Sequence, residues 1–111
     1  MSSVFSTARP WPKAGDSDLQ RYEAISRVFF THDYLLPFLF DTREPKTRLS
    51  PEALLRQASA FSKGEFLLIK IALDIWSSSG DTKLVELIED LDPQNFYFVL
   101  ESLVITRRNR F

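Results

Sequence analysis

The hydrophobic positions of this chain recur with the period of α-helices along most of its length. From residue 17 onward, apolar residues lie three or four positions apart, as they do on the buried face of a helix. The first helix is predicted to start at Ser17, because Ser17 and Gln20 have the spacing of a capping box. The pattern as a whole predicts an all-α fold, a compact bundle of five to six short helices.

The most hydrophobic segment lies in the middle of the chain. Every residue from 66 to 76 is apolar except Lys70 and Asp74, which lie four positions apart on one stripe, and a capping box at 62–65 precedes the segment. A helix that is apolar on nearly all sides belongs inside a bundle rather than on its surface. We therefore expect a central buried helix at about 63–77, around which the other helices pack.

Capping residues followed by proline mark two further helix starts. Ser50-Pro51 begins a helix after a polar loop at 41–49, and Asp92-Pro93 ends one helix and starts the next. Asp33 precedes a short apolar segment at 34–40, which we interpret as a short helix. These signals divide the chain into its predicted elements.

The C-terminal third of the chain contains two amphipathic helices, at about 82–91 and 93–106. Asp81 is the expected cap of the first of them. Both helices are predicted to turn one apolar side toward the core. The predicted inward residues are Leu84, Leu87, Ile88 and Leu91 on the first helix and Phe96, Val99, Leu100 and Leu103 on the second.

The N-terminal residues differ from the rest of the chain. Residues 1–16 show no helical or strand period, so we predict a flexible tail before a single helical domain at 17–111. Trp11 lies between two prolines and is expected on the domain surface, with a short docking motif as the alternative. No apolar run approaches the ~20 residues of a membrane span, and the N-terminus lacks the apolar region of a secretory signal. We expect a cytoplasmic protein that does not enter a membrane.

The sequence offers few groups for catalysis. It has no cysteine, one histidine and three separate glycines, so thiolate ligands and a glycine-rich phosphate loop are excluded. His32 lies at a predicted break between helices and is interpreted as an ordinary loop or helix-end residue. We predict no enzymatic activity, no cofactor and no metal site.

Apolar and acidic surfaces point instead to a protein partner. The segments 34–40 and 96–98 are rich in aromatic residues for so small a domain, and they either close the core or form an exposed patch of the kind that binds partners. The candidate partner surface comprises Tyr34, Phe38, Phe40, Glu86, Glu89, Asp90, Tyr97 and Phe98. The leading hypothesis is a non-enzymatic protein-interaction or regulatory module that binds another protein or forms a homodimer.

Two alternatives involve nucleic acids or the proteins that bind them. Residues 84–103 resemble a helix-turn-helix, whose candidate nucleic-acid contacts would be Gln94, Asn95, Arg107, Arg108 and Arg110. Charge disfavours DNA binding, because the range 65–101 holds eight acidic and two basic residues and the net charge is −1, whereas phosphate contacts supply much of the affinity for DNA. The same acidic character suggests, as a third hypothesis, an inhibitor or DNA mimic that binds a nucleic-acid-binding protein.

Overall fold

The helix predicted to organise the core lies at the centre of the structure. A computed structural model describes residues 11–109. This part of the chain forms six α-helices and no β-strand, which confirms the predicted all-α bundle; the helices are α1 (Asp16–Val28), α2 (Leu36–Leu39), α3 (Pro51–Ala58), α4 (Lys63–Ser77), α5 (Leu84–Asp90) and α6 (Pro93–Arg108). Among these helices none combines the length and the apolar character that crossing a bilayer requires.

Helix α4 is covered by its neighbours on several sides. Helices α1, α3 and α5 pack against it, and α6 packs on α1. Burying a large apolar side chain stabilises a fold by roughly 1.5–3 kcal/mol, so this helix dominates the hydrophobic core. The buried residues of α4 are Leu67, Leu68, Ile69, Ile71, Ala72, Leu73, Ile75 and Trp76.

Local capping signals place three helix starts as predicted. The side chains of Ser50 and Asp92 each accept the backbone N–H three residues further on, at 3.2 and 2.7 Å. The capping box of Ser62 and Glu65 forms in both directions, with distances of 3.2 and 3.0 Å. Each cap satisfies N–H groups that a helix cannot satisfy internally, which is why these boundaries follow from the sequence.

Two predicted helix starts are wrong. Helix α1 begins at Asp16, so Ser17 lies inside the first turn. The backbone N–H of Gly15, before the helix, donates to the Asp18 carboxylate at 3.3 Å rather than to the side chain of the predicted Gln20. Helix α5 begins at Leu84 and is not capped by Asp81, which adopts a left-handed φ of 55° in the preceding loop. Aspartate tolerates this conformation better than most residues.

Trp11 lies in the core, so its predicted position on the surface is wrong. Its ring is fully buried, and its Nε1–H donates a hydrogen bond to the carbonyl of Asp41 at 2.8 Å. The ring packs edge-on against Tyr22 and Phe40, with centroids 5.2 and 5.5 Å away, and lies 5.9 Å from Trp76. These partners come from distant parts of the chain, which is why no local pattern predicts the burial of Trp11.

We expect Trp11→Ala to lower the free energy of unfolding by roughly 3–5 kcal/mol, because it empties a buried aromatic site. Urea denaturation followed by circular dichroism would measure the change. Pro12→Ala, at the exposed neighbouring position, is the matched control and should leave stability nearly unchanged. Equal stability of Trp11→Ala and the unmodified chain would contradict the role of this ring in the core.

Candidate functional site

Helix α5 turns much of its apolar surface toward solvent. Leu84 and Ile88, predicted to face the core, are 72% and 65% exposed, and Val85 is 50% exposed. Leu87 and Leu91 are partly buried against the core, as predicted. The predicted inner face of this helix is therefore wrong for two of its four residues.

Two ion pairs with α4 explain this orientation of α5. Lys70 Nζ lies 3.0 Å from both carboxylate oxygens of Glu86, and Lys63 Nζ lies 3.1 Å from Asp90 Oδ1. Hydrogen bonds from the backbone N–H of Lys83 and from Lys70 hold the pKa of Glu86 below its ordinary value. Because the charged side of the helix faces α4, its opposite side faces water.

Helix α6 also exposes one apolar side. Val99 is buried toward the rest of the bundle, but Leu100 and Leu103, predicted to be buried, are each 42% exposed. Tyr97 and Val104 are more exposed still. Tyr97, Leu100 and Val104 have the spacing i, i+3, i+7, which places them on one stripe of the helix.

A largely apolar groove of about 270 Å³ lies between α4, α5 and α6. Leu84 lies one turn before Leu87 and Leu100 one turn before Leu103, so these two exposed residues are next to residues that line the groove. The groove is lined by Ile71, Asp74, Ile75, Thr82, Leu87, Val99, Leu103 and Thr106. We call the exposed apolar residues of α5 and α6 together the α5–α6 face, which consists of Leu84, Val85, Ile88, Tyr97, Leu100, Leu103 and Val104.

Asp74 fixes the loop that leads into α5. Its Oδ1 accepts the backbone N–H groups of Gly80 and Asp81 at 2.8 and 3.1 Å, and its Oδ2 accepts that of Thr82 at 2.9 Å. Partial burial by itself raises the pKa of Asp74, but the hydrogen bonds from this loop outweigh burial and lower that pKa. The loop lies so close to α4 that a Cβ on Gly80 would be 1.9 Å from the carbonyl oxygen of Lys70.

None of the predicted partner residues lines the groove itself. Phe40 is only 1% exposed, so its predicted surface position is wrong; the aromatic cluster in the core encloses it. Tyr34 and Glu89 are exposed. Phe38 and Phe98 are half-buried, and each lies beside another phenylalanine. Of the aromatic residues predicted for this surface, Tyr97 is the one that belongs to the α5–α6 face.

The predicted nucleic-acid contacts are spread along α6. Gln94 is exposed in the first turn of α6. Asn95 is buried, and its side-chain amide donates to Asp92 Oδ2 at 3.2 Å. Asn95 therefore does not present the predicted surface contact. Arg107 and Arg108 are exposed at the other end, roughly 20 Å away at 1.5 Å per residue. Arg110 lies outside the described residues.

A second cavity, of about 290 Å³, lies between α1 and the end of α6 and is lined by Ser17, Gln20, Arg21, Thr106 and Asn109. The guanidinium of Arg21 pairs with Asp18 at 2.9 Å and stacks over the ring of Trp76 at 4.4 Å. The charge of Arg21 is therefore already engaged by residues of the same chain. Across residues 11–109 no three potential metal-ligating side chains cluster.

Comparisons of the chain with protein-family models, curated proteins and solved structures found no significant match. The functional argument therefore rests on the geometry of the α5–α6 face and on the contacts that hold α5 in place.

We expect Asp74→Asn to lower the free energy of unfolding at neutral pH by roughly 1–3 kcal/mol, the range for hydrogen bonds to a charged group and for leaving a buried donor unpaired. The folded pKa of Asp74 is depressed, so its stabilisation is present above the unfolded pKa near 3.8 and is lost as the pH falls through the folded pKa. The stability difference between the two chains should therefore be constant near neutrality and shrink below about pH 4.

Denaturation by urea at several pH values would measure this difference. The control is Asp81→Asn, which changes a neighbouring carboxylate with a 92% exposed side chain at a left-handed position that asparagine also tolerates. The control should stay within about 0.5 kcal/mol of the unmodified chain. A pH-independent difference for Asp74→Asn would show that the carboxylate charge is not what fixes the loop.

Proposed function

We propose that this chain is a non-enzymatic protein-interaction module that binds its partner through the α5–α6 face. The observation that supports this is the exposed apolar character of the two helices: of the ten large apolar side chains that are exposed to solvent in the described residues, seven lie on α5 and α6. Concentrated exposure of apolar side chains is typical of protein-interaction sites.

The chemistry of the groove favours a protein over a small molecule. A small-molecule site needs a few polar groups that converge on the ligand and fix its orientation. The carboxylate of Asp74 at the polar end of the groove already accepts three backbone N–H groups. Besides Asp74, Thr82 and Thr106 the lining of the groove is apolar, which suits the apolar side of a helix.

The exposed side of α6 also favours protein over DNA. A helix that enters the major groove presents arginine, lysine, asparagine or glutamine to base edges. The middle of this helix presents Tyr97, Leu100 and Val104 instead. In the described residues, Glu86 and Asp90 are engaged with lysines of α4, so the hypothesis of an acidic inhibitor or DNA mimic gains no specific support.

Site-directed photo-crosslinking with the full chain tests this proposal. A benzophenone amino acid replaces Tyr97 on the α5–α6 face, or Tyr34, an exposed tyrosine outside it, as the matched control. We expect a crosslinked protein product at position 97 and not at position 34. Mass spectrometry of the product identifies the crosslinked chain, whether it is another protein or this one.

A second substitution separates specific binding from chance contact. Val104→Asp places a charge on the α5–α6 face and should abolish the product formed from position 97, because burying an unpaired carboxylate at an interface is unfavourable. Ala60→Asp, at an exposed position after α3, is the control and should leave the product unchanged. Crosslinking that persists in Val104→Asp, or that forms equally from position 34, would overturn the proposal.

A further inference from the structure

We draw no further inference here: the strongest candidate, the cavity between α1 and the end of α6, carries nothing because the guanidinium of Arg21, the charged group in its lining, already donates to Asp18 and to the carbonyl of Trp76.

Discussion

A charged side chain within the buried helix of a bundle needs a partner, and this requirement governs the arrangement around α4. Lys70 and Asp74 are the charged residues of its apolar stretch. Lys70 pairs with Glu86 at 3.0 Å, and Asp74 accepts three N–H groups of the loop at 80–82. Together these contacts fix where the chain leaves α4 and which side of α5 returns to it. The electrostatic requirements of α4 thus determine the surface that the next helix presents.

Two opposing effects act on the orientation of α5. Rotating α5 to bury Leu84 and Ile88 would gain roughly 1.5–3 kcal/mol for each. The same rotation would expose Leu87 and Leu91, which now pack against the core, and so would lose stabilisation of similar size. It would also separate Glu86 from Lys70, whose side chain is only 15% exposed, and leaving a charge unpaired at such a position is unfavourable. The observed orientation therefore keeps the ion pair and leaves Leu84 and Ile88 exposed.

The sequence predicts those parts of the fold that local interactions decide. The capping box at 62–65 and the apolar run behind it predict α4 with the bounds that the structure has, since caps and helical periodicity depend on neighbouring residues. Trp11 and Phe40 escape prediction because their partners lie far away in the chain. The exposure of Leu84 escapes prediction for a related reason. The hydrophobic pattern predicts that α5 is amphipathic, but the orientation of α5 depends on Lys70 of α4, which pairs with Glu86. Of the residues that the sequence predicts for the partner surface, Tyr97 alone belongs to the α5–α6 face.

Helix lengths show why the bundle cannot cover this face by itself. Helix α5 has seven residues and is about 10 Å long, whereas α6 has 16 residues and is about 24 Å long. One side of α6 packs on α1, and Val99 and Ser102 of α6 are buried. Helix α5 is less than half as long as α6, so it leaves Tyr97 and Val104 exposed. The difference in length between the two helices therefore accounts for the apolar surface that α6 keeps in the single chain.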